Sequence, residues 1–281
     1  MEIGTLTVPG ARIHYEVRGA GPVLLLVNGG EGDAAMYGQL AALLADRYTV
    51  VTYDLRGNSR SRLTVPPYEQ HIAEHADDAH RLLGSIGDEP AYVFGSSYGG
   101  MIGMDLLARH PERVRALVAH EPFVIEMLPD AARWHAVFQE VYEIHRRDGA
   151  GAATRRFVTE IGVAAPPEPS PGLPAPVLEL LARVAANLET CYEYELRSFT
   201  RFVPDLPALR GGRVVVAGGA DSREALPHRA ATALAERLGT PVVEFPGDHA
   251  GFVMRPAEFA EALHGVLDDG SRPLDGPTSR H

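Results

Sequence analysis

The sequence predicts an α/β protein in which a mostly parallel sheet of eight strands, flanked by helices, is interrupted once by a long helical insertion. Three observations predict it. Short β-branched or aliphatic runs alternate with longer segments of helical period, as strands and crossover helices do. The later runs are almost continuously apolar, the mark of strands buried on both faces. Across residues 122–209 strand signals stop while helical spacing continues.

The elements follow in order. Residues 5–8 and 11–17 read as an opening antiparallel pair, and residues 23–27, 48–53, 91–94, 114–119, 214–217 and 242–245 as parallel strands. Met36, Leu40, Leu43 and Leu44 share one helical face, and Ile72, Ala76, Ala79 and Leu83 another. The last helix starts at Pro256, where a missing N–H costs nothing, and carries Phe259, Leu263 and Val266 inward. Within the insertion, which follows the sixth strand, Trp134, Val137, Val141 and Ile144 form one stripe. Val177, Leu181, Val184 and Leu188 form a second, and a proline-rich connector joins the two. The core is therefore residues 1–121 and 210–268, the helical cap residues 122–209, and residues 269–281, rich in Gly, Pro, Ser and Asp, a flexible tail. An insertion at this point should fold over the carboxyl ends of the strands, where ligands bind in such sheets.

Composition narrows the function classes. A chain of 281 residues with 45% apolar and 22% charged residues can bury a core without disulfides or metals. With 26 basic against 37 acidic residues the net charge is −11, which repels phosphate backbones and anionic lipids, so neither nucleic acid nor membrane is an expected partner. The start, Met1-Glu2-Ile3-Gly4, shows no leader pattern, and no apolar run is long enough to span a bilayer. A cytoplasmic location is expected, and the single cysteine, Cys191, agrees with a reducing compartment.

The chemistry concentrates at three strand ends. After the strand at 91–94 comes Gly95-Ser96-Ser97-Tyr98-Gly99, a G-x-S-x-G segment running into a helix. That context puts a serine on a strained turn, with glycines where neighbouring backbone must pass close and a helix N-terminus aimed at a developing oxyanion. Ser97 is the candidate nucleophile. A serine hydroxyl needs a base, and the base needs an acid to fix its tautomer. His249, in Gly247-Asp248-His249-Ala250-Gly251 after the last strand, is the candidate base. Asp221, at the tip of Gly218-Gly219-Ala220-Asp221-Ser222, is the expected acid. Two rivals stay open: Asp248, whose side chain should diverge from its neighbour's, and Glu121, which follows the preceding strand and could reach the histidine. The oxyanion donors are expected from the N–H groups of Tyr98 and of Gly30, in the Asn28-Gly29-Gly30-Glu31-Gly32 loop.

On these residues the chain resembles the α/β-hydrolase superfamily, in its capped serine-hydrolase branch, over nearly its full length. The family's oxyanion loop usually begins His-Gly where this chain has Asn28-Gly29, and its Asp-x-Arg-Gly segment is matched by Asp54-Leu55-Arg56-Gly57. The resemblance implies that the latter braces the oxyanion loop. It also implies acyl transfer through Ser97 on a small ester, lactone or thioester. Two alternatives stand beside it: an aminopeptidase that releases N-terminal proline, with carboxylates of the acidic, aromatic run 189–195 binding the substrate amine, and a non-catalytic receptor that keeps only the pocket. A serine at position 97 disfavours epoxide and haloalkane hydrolysis, which use aspartate there.

His71-Ile72-Ala73-Glu74-His75 spells a zinc-peptidase pattern, but no third ligand is indicated and a solvated helix face explains it better. His110 and His120 end a helix and a strand and need no catalytic role. No loop suggests flavin, nicotinamide or phosphate binding, so neither cofactor nor metal is implied. The expected partner is a small acyl substrate, and a homo-oligomer stays open.

Overall fold

A computed structural model describes residues 1–30, 32–164 and 172–269. Part of the proline-rich connector, and the expected tail from residue 270, lie outside the described residues.

The sheet has nine strands rather than eight: β1 (Glu2–Val8), β2 (Ala11–Arg18), β3 (Val23–Val27), β4 (Thr49–Tyr53), β5 (Arg62–Leu63), β6 (Ala91–Ser96), β7 (Val114–His120), β8 (Val214–Gly219) and β9 (Val243–Phe245). The extra one, β5, is a two-residue pairing on β2, too short to leave a periodic signal. The order is β1-β2-β4-β3-β6-β7-β8-β9, antiparallel as far as β4 and parallel from there on.

The apolar runs work as expected of strands covered twice. In β3, Leu24 and Leu26 face one cluster while Leu25 and Val27 face the other. The first cluster is closed by α1 (Gly38–Leu44) and, near the C-terminus, by a helix at Pro256–Asp269 that brings in Phe259 and Leu263. Leu43 of the expected α1 face is instead exposed. The opposite face carries α2 (Ile72–Ile86) and α3 (Tyr98–Arg109), and all four apolar residues expected to face inward from α2 are buried. Burying a Leu or Phe side chain contributes roughly 2 kcal/mol, so these faces, more than helix propensity, hold the helices.

Between β7 and β8 the chain forms α4 (Ala131–Asp148), α5 (Ala150–Ile161), α6 (Ala175–Thr190), a π-helical turn (Cys191–Glu195) and α7 (Leu196–Phe199). It returns through α8 (Leu206–Gly211), and α9 (Leu226–Leu238), α10 (Gly251–Met254) and α11 (the Pro256–Asp269 helix) complete the fold. The α4 stripe is core, with Trp134, Phe138 and Val141 buried. The α6 stripe is divided: Val177 and Leu181 are exposed, while Leu188 is half-buried against the core. Besides Leu188 and the buried Cys191 and Tyr192, α6 and the π turn offer the core polar groups. Arg183 donates to Asp33 at 2.7 Å, the Asn187 carbonyl accepts from the Ser59 N–H at 2.7 Å, and Glu195 accepts from Asn58 at 3.1 Å.

Candidate active site

The turn that carries the candidate nucleophile follows directly from the strand-to-helix junction. β6 ends at Ser96, α3 begins at Tyr98, and Ser97 between them has φ 55° and ψ −120°, a conformation that costs on the order of 1–3 kcal/mol for a residue with a Cβ. The glycines are dictated by contact: a Cβ on Gly95 would strike the Gly99 carbonyl, and one on Gly99 the Val27 carbonyl at the end of β3. The Ser97 N–H donates to the His120 carbonyl at 3.0 Å, which ties the turn to β7.

The candidate oxyanion loop lies alongside. A Cβ on Gly30 would sit 3.5 Å from the Tyr98 ring and 3.3 Å from the Cys191 sulfur. Gly30 and Tyr98 are thus neighbours, and as the first residue of α3 Tyr98 has an N–H without an intrahelical acceptor. Asp54 holds the loop from behind, accepting from the Ala34 N–H at 2.8 Å while Arg60 grips its carboxylate. Asn28, in place of histidine, donates to the Tyr53 carbonyl at 3.1 Å. Arg56 braces a different junction, forking onto buried Asp78 at 2.7 Å on both arms.

At the base the structure corrects the sequence expectation. His249 Nδ1 meets Glu121 Oε2 at 2.6 Å, whereas Asp221 is 66% exposed with its carboxylate 3.9 Å from Arg255. The reason lies in the loop after β8: Asp221 at its tip points outward, while the Gly219 N–H (2.9 Å) and the Ser222 hydroxyl both donate to Glu121 Oε1. The stretch expected to supply the acid instead supplies donors to it. Asp248 accepts from the Ala250 N–H at 2.9 Å and shapes the turn. Burial alone would raise the Glu121 pKa, but the His249 bond and charge, with His120 and Ser222 adding, outweigh it and hold the group at about 2. An ionised Glu121 accepts, so His249 Nδ1 carries the proton and Nε2 is left as the basic nitrogen.

Two further acids bear on the sequence expectations. Glu193, in the acidic run, is bonded to Arg146 at 2.6 Å and lies 3.4 Å from His145. Glu195 is fully buried rather than solvated, Asn58 is the donor to its Oε1, and its Oε2 has no partner among the described residues. Burial pushes its pKa up to about 7 against the single Asn58 bond. The side chains above the nucleophile are aromatic: Tyr98 packs on Phe199 and Phe123, with ring centroids 5.0 and 5.9 Å away.

Neither histidine of the zinc-like pattern is set up as a ligand. The His71 N–H is accepted by Glu74 at the start of α2, and His75 is buried against Gln70 at 2.8 Å. Elsewhere, ligand atoms of His80, His110 and Glu112 lie within 4.8 Å of one another. The two rings stack 3.7 Å apart and 14° from parallel, so their in-plane lone pairs run side by side instead of converging on one ion. No described helix is long and apolar enough to cross a membrane.

Comparison with known proteins agrees with this fold. The model of the alpha/beta hydrolase fold family matches residues 22–162. The uncharacterized hydrolase YraK of Bacillus subtilis is 41% identical over 273 residues, covering 94% of this chain and 96% of YraK. A protein of Caulobacter vibrioides provisionally named carbamate hydrolase RutD is 30% identical over 95% of this chain and 98% of its own length. A solved thermophilic esterase from Thermogutta terrifontis superposes with a TM-score of 0.73 at 21% identity, covering 97% of this chain and 99% of the esterase. Strand order, the strained serine turn and sequence relatives converge: the chain is a hydrolase that belongs to the α/β-hydrolase fold family.

Proposed function

We propose that this hydrolase cleaves a small ester, lactone or thioester through an acyl-enzyme, with Ser97 as nucleophile, His249 as base and Glu121 as acid. The observation that carries the reading is the 2.6 Å contact from His249 Nδ1 to a buried, ionised Glu121, made beside the strained serine turn. His249 Nε2 takes the Ser97 hydroxyl proton as Oγ attacks the carbonyl carbon. The N–H groups of Gly30 and Tyr98 hold the resulting oxyanion. Collapse breaks the bond to the leaving oxygen or sulfur, which departs with the proton from His249. A water then repeats the sequence on the acyl-enzyme, giving the carboxylic acid and restoring the Ser97 hydroxyl. Glu121 keeps the imidazole in one tautomer and stabilises it when it becomes a cation. The helical insertion, packed against Tyr98 and Gly30, acts as the cap and shapes the acyl pocket.

A second reading, carbamate hydrolysis by the same machinery, is favoured by the 30% identity to RutD along both chains. Recognition of a substrate amine by the acidic run fits less well, because Glu193 is already paired and Glu195 is buried. A binding-only role predicts a serine that does not react.

Labelling with a fluorophosphonate probe, with the adduct mapped to a peptide, tests the reading. One equivalent on Ser97, and loss of turnover by several orders of magnitude in Ser97→Ala with the fold kept, are expected. No label on folded protein would favour the receptor reading, and an ester, lactone, thioester and carbamate panel separates the two hydrolytic ones.

A further inference from the structure

One buried titratable group next to this machinery has no part in the reaction above. His120, the last residue of β7, is completely closed off from solvent. Its Nδ1 lies 3.1 Å from the Ser96 hydroxyl, and its Nε2 has no partner among the described residues. Around the ring stand Phe259, Phe245 and Phe94, with centroids 5.4, 6.1 and 6.2 Å away, and the His249 ring at 6.3 Å. A phenylalanine cage is a poor place for an imidazole: one nitrogen is bonded, and the other is buried with its hydrogen-bonding capacity unused, which costs stability. An apolar residue there would suit the fold better, so the fold alone does not account for the histidine.

What the histidine does hold together is specific. Ser96 and His120 are paired residues on adjacent parallel strands. The residue after each has a positive φ, 55° at Ser97 and 42° at Glu121, and these are the nucleophile and the acid. The His120 carbonyl accepts from the Ser97 N–H at 3.0 Å, and the Glu121 N–H donates to the Ala217 carbonyl at 2.8 Å. Two strained turns on neighbouring strands are thus cross-tied one residue before each bend, by a side chain as well as by backbone.

We infer that His120 is a positioning residue: its bond to Ser96 locks the two strand ends in register, so that Ser97 and Glu121 both present to His249. Burial keeps the ring neutral, with its pKa pushed down to about 4, so it does not oppose the positive charge that His249 acquires during turnover. The tie acts on geometry, and small displacements of reacting groups cost rate more than binding.

This inference rests on the serine-hydrolase reading, and the experiment keeps the two apart. His120→Leu, Ser96→Ala, the double variant and His120→Asn would be compared on the substrate found by the panel. Asparagine places a polar atom near the position of Nδ1 and keeps the bond to Ser96. His120→Leu should lower kcat about tenfold or more with KM within about twofold, and its Tm should equal or exceed the wild-type value. Ser96→Ala should lower kcat similarly, the double variant should be no worse than the worse single one, and His120→Asn should recover most of the rate. An unchanged kcat in His120→Leu overturns the inference, as does a kcat that falls in step with Tm in both His120 variants. Failure of folded wild-type protein to take the fluorophosphonate on Ser97 would instead sink the reading beneath it.

Discussion

Glu121, at the end of β7, and Glu195, in the π turn of the insertion, are both closed to solvent, yet their carboxyl groups are driven in opposite directions. Burial raises both pKa values. Glu121 collects three donors, the Gly219 N–H, the Ser222 hydroxyl and His249 Nδ1, and falls to about 2. Glu195 has the Asn58 amide on one oxygen, and its pKa rises to about 7. Depth therefore does not set the charge of a buried acid; the donors aimed at it do. The strand end is built to hold a full negative charge against the His249 imidazole, while the π turn holds a carboxyl that is half protonated near neutrality.

The comparison can be broken most directly at Glu121. Glu121→Gln should lower kcat/KM by roughly 10³- to 10⁴-fold, because the amide can stabilise neither the tautomer nor the cation of His249; a loss below about tenfold in steady-state assays would remove Glu121 from the triad. The same carboxylate carries an acid-sensitive share of stability. Its folded pKa lies below the ordinary value of 4.5, so that share is complete above pH 4.5 and is lost as the pH falls toward 2. Glu195 has the opposite sign. With a folded pKa above 4.5, the folded state holds a proton the unfolded state has lost, and stability declines as pH rises from 4.5 to about 7. Glu195→Gln should remove that decline and raise stability at pH 8 by on the order of 1–3 kcal/mol relative to wild type, read by denaturant titration at pH 5 and pH 8. Equal pH slopes in the two proteins would mean that Glu195 is ionised throughout.

Smaller effects sharpen the contrast. Ser222→Ala withdraws one donor of roughly 1 kcal/mol and should reduce kcat several-fold, with the pH at which the Glu121 share of stability is lost displaced upward as its pKa rises. Asp221→Asn should change kcat/KM by less than about twofold and stability by less than about 0.5 kcal/mol, since it loses only an exposed 3.9 Å pairing with Arg255. A large loss in Asp221→Asn alone would return that residue to the candidate triad.

The sheet, its buried strands and the serine turn were legible because each rests on local chemistry: apolar runs, glycines where a Cβ would collide, and a serine between strand and helix. His249 was legible as a candidate base from its place after the last strand. The choice between Glu121 and Asp221 was not, because both follow parallel strands that end on the same edge of the sheet. Which carboxylate turns inward depends on the bend of each loop. A signal was present in Glu121's setting, an acid enclosed by Val118-Ala119-His120 and Pro122-Phe123, where a solvated carboxylate would be out of place. The burial of Glu195 was not legible in its acidic, aromatic run, because the group that meets it, Asn58, lies far away along the chain. The exposure of Val177 and Leu181 was hidden for a related reason: that end of α6 lies off the core, and the helix meets it through Arg183, Asn187 and Leu188.

The polar contacts of α6 and the π turn also bear on how far this protein can be recombined. Arg183, Asn187 and Glu195 of the insertion complete bonds begun by Asp33, Ser59 and Asn58 of the core. Asp33 is entirely buried and draws on Arg183 to keep its carboxylate ionised. A chimera that imports this helical segment from a relative would strand that charge beside the oxyanion loop unless the residues at 33 and 58–59 travelled with it. The interchangeable unit is therefore the insertion together with two short core loops, and a swap drawn at the boundaries of the helices alone would cut through it.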